Sequence, residues 1–249
     1  MTTMNAVLQA YDLPVEKLPE FYRRLNQPII YPDGMLTSLG IIYWGRAEHL
    51  PGIESAIPKL VEHGLTRFNA VLQAIRTPAS SKKLSERTAI PPAVLRILKH
   101  DLELWLPKAV PLRQFEWFQN NPDVLTALAY IGLDNQLAVI AAGQNPVQRG
   151  VLGCQTNLAS VIIDEIVRLC DYYRTGKNLD HLRAKIYYAM GLDTWQKWAE
   201  GTSESIIARF TRYIREHQLA EERLVPWPKE VRNGIEWAKM HLEIYAILW

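Results

Sequence analysis

Apolar side chains recur at helical spacing along most of the chain, and glycine or proline interrupts them at short intervals. In the segment 50–65 they follow a turn containing Gly52, lie on one helical face and end at Gly64, where the helix is expected to stop in the left-handed conformation. Five prolines precede later helical patterns, as first-turn prolines do: Pro78, Pro91, Pro111, Pro122 and Pro146. The pattern predicts an all-α fold, an array of short helices joined by short turns.

The same periodicity predicts the remaining helices, which are expected at residues 4–10, 14–26, 160–173, 179–190, 193–199, 202–219 and 227–249. Gly191 is expected to end the helix at 179–190. Asn121 and Asp193 are expected to cap the helices that follow them, Asp193 in a capping box with Gln196. Leu36–Trp44 fits either a short strand or a buried helix, and its helical surroundings favour the helix. The apolar end Ile244–Trp249 is expected to dock on the body of the protein, the alternative being that it is offered to a partner.

One stretch of the sequence occurs twice. Residues 64–88 and 132–156 align without a gap at an offset of 68 residues, and eight aligned pairs are identical where unrelated windows would share roughly one or two. The identical pairs are Gly64/Gly132, Leu65/Leu133, Ala70/Ala138, Val71/Val139, Ala74/Ala142, Pro78/Pro146, Leu84/Leu152 and Thr88/Thr156. Apolar residues continue in register beyond them, as in Ile90 and Leu158. The repeat predicts an internal duplication of a helical unit.

Two groups of motifs carry a resemblance to a known family. The first lies within 50–112 and comprises LPGIESAIPKLVEHGL, Thr77-Pro78, Thr88-Ala89-Ile90 and His100-Asp101-Leu102; the second comprises Asp171–Gly176, Met190–Trp195 and Trp198-Ala199. In this order the motifs resemble a bacterial domain-of-unknown-function family built on paired helix-hairpin-helix units, over residues 50–215. The resemblance implies a duplicated helix-hairpin-helix array, with an N-terminal helical extension at 1–49, a first repeat at 50–121, a second repeat at 122–219 and a C-terminal helix at 220–249.

Helix-hairpin-helix turns bind phosphate through backbone N–H groups that converge at a helix N-terminus, and two nearby glycines make this approach possible. In the first copy Glu54 stands where the second glycine is expected, and a carboxylate there would repel phosphate. In the second copy Gly176 and Lys177 keep one glycine and a useful cation. Gly176 and Lys177 are therefore candidate phosphate contacts, with a simple helix-capping turn as the alternative.

Charge is distributed unevenly along a chain whose net charge is only +2. Residues 64–100 carry seven basic side chains and one acidic one, whereas residues 101–146 have a net charge of −3. Lys82, Lys83 and Arg87 are the candidate nucleic-acid contacts in the basic stretch, and a solvated helix face is the alternative. Because the second copy has Gly150 and Val151 in place of the two lysines, a polyanion site shared by both copies is not predicted.

Constellations of reactive residues are weak. The six histidines include no pair at the three- or four-residue spacing that would place two imidazoles on one metal, and no nucleophile, phosphate-loop or dinucleotide motif is present. The two cysteines, Cys154 and Cys170, have apolar neighbours and are expected to be buried free thiols. No apolar run approaches the length needed to cross a bilayer, and the N-terminus lacks a signal-peptide pattern. The sequence therefore predicts a cytoplasmic, non-enzymatic protein without a metal or cofactor.

Two hypotheses for function remain. The first is a protein-interaction, scaffold or adaptor module that binds another protein or a second copy of itself. Its expected partner surface is aromatic and comprises Tyr43, Trp44, Trp195, Trp198 and Trp249. The second is a DNA- or RNA-binding protein that uses the basic stretch and the Gly176-Lys177 turn, and this hypothesis rests on analogy of fold.

Overall fold

The computed structural model describes residues 4–25, 49–175, 182–219 and 224–249. Within these ranges it contains fifteen α helices and no β strand, so the predicted all-α fold is confirmed. The helices are α1 (Met4–Tyr11), α2 (Leu18–Arg24), α3 (Leu50–Glu62), α4 (Phe68–Ala74), α5 (Pro78–Thr88), α6 (Pro92–Trp105), α7 (Glu116–Gln119), α8 (Pro122–Tyr130), α9 (Gln136–Ala142), α10 (Pro146–Thr156), α11 (Ser160–Tyr172), α12 (Leu182–Ala189), α13 (Trp195–Glu200), α14 (Ser203–Glu216) and α15 (Pro228–Ile244).

Helix boundaries in the two similar stretches recur at one offset. Helices α4 and α9, and likewise α5 and α10, begin and end 68 residues apart. The glycines before α4 and α9, Gly64 and Gly132, have φ of +75° and +80°, which suits glycine because a Cβ would be strained there. The residues after α5 and α10, Ala89 and Asn157, are also left-handed, with φ of 51° and 55°. We call α3–α6 the first unit and α8–α11 the second unit.

Helices α12–α15 repeat the turn geometry of the first two units, although their sequence shares no clear identity with those units. Gly191 has a φ of +87°, and the next residue, Leu192, donates its N–H to the carbonyl five residues earlier, as Leu65 and Leu133 do. Helix α14 is followed by Gln218, which is left-handed like Ala89 and Asn157. We call α12–α15 the third unit.

An extended segment pairs with each of the first two units, and we call these segments straps. The first strap, residues 12–15, pairs with the turn before α4: Phe68 N–H donates to Leu13 O at 3.0 Å and Val15 N–H donates to Thr66 O at 3.0 Å. The second strap, residues 109–112, pairs in the same way with the turn before α9, where buried Gln136 also donates to Lys108 O and accepts from Val110 N at 2.5 Å each. A short 3-10 helix follows each strap, at Val15–Lys17 and Leu112–Gln114.

One large hydrophobic cluster extends from α1 through the first and second units to α15 and Ile247. The α1 helix lies on α9, while α13 and α14 pack on α15. Two smaller clusters fill the third unit, one around Trp198 and Ile235 and the other around Phe210. The third unit thus has a core of its own and shares the large one through α15.

Several local expectations were wrong. Gly52 lies inside α3 instead of in a turn. Asn121 does not cap α8, because its side chain donates instead to Trp117 O at 2.7 Å. Residues 14–26 form a 3-10 turn and a short α helix in place of one helix, with residue 26 outside the described ranges.

Other corrections concern the last third of the chain and one cysteine. Thr194, not Asp193, caps α13, since its hydroxyl accepts from Lys197 N at 3.2 Å. The final helix stops at Ile244, and the tail, which we define as residues 245–249, continues in a non-helical conformation. Cys170 is buried as expected, but Cys154 is exposed on α10. The stretch Leu36–Trp44 lies outside the described residues.

No single helix in the described ranges is long and apolar enough to cross a membrane. Helices α10 and α11 reach that length and composition only when they are taken together, across a bend of 115°.

Candidate functional site

The basic residues selected from the sequence lie on α5. Lys83 and Arg87 are exposed one turn apart, and Lys82 is exposed beside them. Lys82 is 4.0 Å from Glu86, an ion pair whose two side chains are both solvated and which contributes little to stability. Gly176 and Lys177 lie outside the described residues. The three described cations share one helix.

The aromatic residues selected as a partner surface have different positions. Trp198 is buried against the edge of Tyr187, with ring centroids 4.6 Å apart. Trp195 is half-buried, and its Nε1–H donates to Asp171 O at 2.9 Å. Trp249 is 42% exposed and lies 4.9 Å from the guanidinium carbon of Arg149. Tyr43 and Trp44 lie outside the described residues. Trp249 is thus the described member of this set that remains at the surface.

The tail that carries Trp249 is docked on the second unit. Leu248 N–H donates to Gln144 O at 2.8 Å, and Arg149 Nη1 donates to Leu248 O at 2.8 Å. Tyr245 and Ile247 are buried, whereas Leu248 and Trp249 face solvent. Arg168 approaches the Trp249 ring at 5.5 Å, so two guanidinium groups contact one indole. The expected docking of the apolar end is present, in extended form.

In each unit we call the turn at the left-handed glycine, Gly64, Gly132 or Gly191, the hairpin of that unit. The N-terminus of α4, which follows the first hairpin, is capped by the protein itself. Asp12, in the first strap, accepts a hydrogen bond from Asn69 N at 2.9 Å through its carboxylate. Arg67 Nη1 donates to the Asp12 carbonyl oxygen at 2.8 Å and holds the strap in place. A helix N-terminus attracts anions because its first N–H groups lack partners. In the first unit an internal carboxylate takes the position that a phosphate would need.

The other two hairpins are capped by their own side chains. Asn135 accepts from Ala138 N at 3.0 Å in the second unit, and Thr194 accepts from Lys197 N at 3.2 Å in the third. Next to Thr194, Asp193 pairs with Lys197 at 2.5 Å and with Arg168 at 3.4 Å. A carboxylate close to α13 opposes the approach of a phosphate there as well.

An uncharged stripe covers the outward face of α10. Val147 is 77% exposed and Val151 is 52% exposed, one turn apart. Gly150 and Cys154 are exposed at the neighbouring positions, which completes an i, i+3, i+4, i+7 pattern. Arg149 is the one charged residue of α10, and it is buried, with its Nε 2.6 Å from Asp164 Oδ1. We call Val147, Gly150, Val151 and Cys154 the α10 stripe.

A cluster of polar side chains is enclosed where α1, α11 and α15 meet. The Arg174 guanidinium is fully buried and donates to Asp171 Oδ1 from Nε at 2.9 Å and also from Nη2. Its Nη1 donates to the Tyr11 hydroxyl at 2.9 Å and to the Tyr245 carbonyl oxygen at 2.6 Å. These bonds join the first helix, the end of α11 and the tail, so Arg174 ties together segments that are far apart in the sequence.

His241 completes this cluster on the side of α15. Since Tyr11 accepts from Arg174, its own hydroxyl proton is directed to His241 Nδ1, with which it forms a hydrogen bond. The neutral imidazole then carries its proton on Nε2, which is buried without a hydrogen-bond partner among the described residues. The rings of Trp105, Trp195 and Trp237 surround the imidazole, with centroid distances of 4.7, 4.9 and 4.7 Å. Because the imidazole is enclosed, it has no access to a substrate.

Burial sets the protonation of this cluster. It raises the pKa of Tyr11 to about 12, even though the charge of Arg174 acts in the opposite direction. Burial, together with the nearby charge of Arg174, holds the pKa of His241 well below 6.5. Burial also raises the pKa of Asp171, with Arg174 opposing it. At neutral pH the cluster therefore contains a neutral tyrosine, a neutral histidine and an arginine–aspartate ion pair.

Few signals in the sequence pointed to this cluster. Arg174 belongs to a stretch that the sequence predicts as a turn, and nothing local marked it as a buried ion that reaches Tyr11, 163 residues away. Within the described residues no group of three histidine, cysteine or acidic side chains could hold a metal ion.

Comparison with protein-family models, with curated proteins and with solved structures returned no match. The resemblance to the domain-of-unknown-function family therefore stays a prediction.

Proposed function

We propose that this protein is a non-catalytic interaction module, a scaffold or adaptor built from three helix-hairpin-helix-like units. The observation that carries the proposal is the internal capping of the hairpins. Asp12, Asn135 and Thr194 each accept from an N–H group in the first turn of the helix behind a hairpin glycine. Hairpins that bind phosphate keep these N–H groups for the ligand. Here they contribute to the architecture of the array.

The surface assigned to a protein partner is the α10 stripe. Two valines on adjacent turns, a glycine that permits close approach and the absence of outward charge are the features with which a helix packs on another apolar face. Leu248 and Trp249 are exposed on the tail that is docked beside α10. This surface replaces the larger aromatic set expected from the sequence, of which Trp195 and Trp198 serve the interior.

The buried cluster supports a non-catalytic role by its enclosure. Its polar atoms are used in holding α1, the end of α11 and α15 together, and its histidine is surrounded by indole rings. Acid–base catalysis requires a group within hydrogen-bond reach of a substrate. The cluster is thus assigned to stability.

The experiment places a photocrosslinking amino acid at Val151 and, as the matched control, at Lys83, which is the equivalent position on α5. We expect a crosslinked protein, either another protein or a second copy, from position 151 and none from position 83. The crosslink should be lost in a Val147→Ser variant, and sedimentation should distinguish self-association from a different partner. Equal crosslinking at both positions, or at neither, would contradict the proposal.

Nucleic-acid binding is the second candidate function, and the exposure of Lys82, Lys83 and Arg87 on α5 favours it. Titration of the protein into labelled single- and double-stranded DNA across a salt series tests it. Binding through these cations would weaken steeply with salt and fail in a Lys82→Glu/Lys83→Glu variant. Under the interaction-module proposal we expect no binding that the double variant removes. Micromolar binding that this variant abolishes would make the second candidate the better one.

A further inference from the structure

The docking of α15 and the tail depends on a set of hydrogen bonds that protonation of one side chain would disrupt. His241 Nδ1 is bonded to Tyr11 of α1, and the carbonyl oxygen of Tyr245, the first residue of the tail, accepts from Arg174. His241 and Arg174 are both fully buried. The contact between α1 and α15 therefore requires the imidazole to accept a hydrogen bond.

In the described part of the chain, the groups that contact the His241 ring are neutral. From α1 it faces the Tyr11 hydroxyl, while α6 and α13 contribute the neutral rings of Trp105 and Trp195. The end of α11 contributes Asp171 and Arg174, which are already paired. On α15 itself the neighbour is the Trp237 ring, and Glu236 and Lys239 pair with each other at 2.6 Å. Helix α6 carries two carboxylates: Asp101 is hydrogen-bonded to Tyr22 of α2, and Glu103 is half-buried.

Protonation of His241 would change the direction of its bond to Tyr11. Nδ1 would become a donor, and the Tyr11 oxygen would have to accept from both an imidazolium and the Arg174 guanidinium, leaving its own proton without an acceptor. Two positive charges would lie one hydroxyl apart, with a single carboxylate, Asp171, to balance them. In an enclosed site such an uncompensated charge is strongly unfavourable.

We propose that the docking of α15 and the tail on α1 and α11 is a pH-sensitive switch with His241 as its trigger. With a neutral imidazole the segment is docked; with a protonated imidazole it is released, and the rings of Trp105 and Trp195 are uncovered. The switch does not rest on the proposed function, because it concerns how α15 and the tail are held, although release of the tail would also remove Leu248 and Trp249 from beside the α10 stripe.

The direction of the pH dependence follows from the depressed pKa of His241. The released imidazole takes up a proton near its ordinary value of 6.5, whereas the docked one does not until the pH is much lower. The ratio of docked to released protein is therefore at its full value above 6.5. Below that pH the ratio falls by up to about tenfold per pH unit.

Hydrogen exchange of the full chain tests the switch, at pH values about one unit above and about one unit below 6.5, with intrinsic exchange rates corrected. We expect the protection of α15 to fall by up to about tenfold at the lower pH, while that of α5 is unchanged. In His241→Gln, which keeps an acceptor for Tyr11 but cannot become an imidazolium, this loss should be absent. His217→Gln is the control, since His217 is exposed and should leave the pH dependence as it is.

Identical pH dependence in the wild-type protein and His241→Gln would overturn the proposal. If that variant does not fold, NMR of the wild-type ring decides the question. We expect the His241 signals of the docked form to lose intensity without titrating as the pH falls. An imidazole that titrates near 6.5 while α15 stays protected would equally overturn the switch.

Discussion

Helices α5 and α10 occupy equivalent places in the first and second units and share their inward contacts. Leu84 and Leu152 are both buried, and Thr88 and Thr156 each donate a hydroxyl to the carbonyl four residues earlier, at 2.8 and 2.7 Å. Their outward faces differ, since α5 presents lysine and arginine where α10 presents glycine and valine. Packing fixes the inward residues. The outward residues, in which the two helices differ, are therefore the candidates for function.

The interiors of the two units also differ in a compensating way at the residue that follows α4 and α9. The first unit has buried Ile75 where the second has Gly143. The second unit fills that volume from the opposite helix with Val167, whose first-unit equivalent is Lys99. Lys99 instead reaches out to donate to Arg76 O at 2.6 Å. The same volume of the core is thus filled by Ile75, which follows α4, in the first unit and by Val167 of α11 in the second.

The largest change in the free energy of unfolding is expected at the position where the second unit has a buried ion and the first has an apolar residue. Arg174 is the equivalent of buried Leu106. We expect Arg174→Leu to lower the free energy of unfolding by about 3–5 kcal/mol, because Asp171 would stay buried without its partner. Urea denaturation followed by circular dichroism measures this. Adding Asp171→Asn should restore part of the loss, and a cost below about 1 kcal/mol for Arg174→Leu would show that Asp171 finds other solvation.

A paired truncation sharpens the comparison of α5 with α10. Leu84→Ala and Leu152→Ala should each cost about 2–5 kcal/mol, through lost burial and the cavity left behind. Since both side chains are nearly fully buried, the two costs should agree within about 1 kcal/mol in denaturant titrations. A larger difference would mean that the two cores relax differently and that the equivalence is one of geometry only.

The exchange of volume between helices can be tested at Gly143. A Cβ there would lie 2.4 Å from Val167 Cγ2, so Gly143→Ala should cost about 1–3 kcal/mol by overpacking. Gly150→Ala is the matched control, because its Cβ meets nothing within 4 Å and alanine should stabilise the helix by about 0.5–1 kcal/mol. Val167→Ala should rescue part of the loss at Gly143. Destabilisation without rescue would place the strain elsewhere.

The smallest expected effect is at the left-handed residues. Ala89→Gly should raise the free energy of unfolding by about 0.5–1 kcal/mol, since alanine is strained at positive φ. Asn157→Gly should change it by less, because asparagine tolerates this conformation. Thermal unfolding would show the difference as a shift of about 2–4 °C per kcal/mol. An equal response of both sites would indicate that local hydrogen bonds already relieve Ala89.

Local chemistry made much of the fold predictable. The first position of three helices is a proline, at Pro78, Pro122 and Pro146, because its fixed φ suits a helix and its missing N–H needs no partner there. Two helices are followed by a glycine with positive φ, Gly64 or Gly191, because glycine adopts this conformation without strain. The offset of 68 residues anticipated the matching bounds of α4 and α9. Such signals are properties of single residues and their neighbours.

Contacts between residues that are far apart in the sequence could not be predicted in this way. Trp198 was assigned to a surface because an amphipathic ring suits a core as well as a partner surface. Its ring packs on α15 at Gly234, which has no side chain to obstruct it and is 36 residues away in the sequence. Asp12 caps α4 from a distant strap, and the burial of Arg174 depends on Tyr11 and Tyr245. The third unit escaped notice because its matching features are backbone angles and caps, which several residue types can supply.

Gly143 also limits which segments of the two units could be exchanged for one another. A genetic crossover that placed the end of α4 into the position of α9 would set an isoleucine against Val167, where even a single methyl group does not fit. The reverse crossover would leave a hole where Ile75 is now buried. Each unit is thus matched to its own opposite helix, so an exchange of these segments between the units would require a compensating change at Lys99 or Val167.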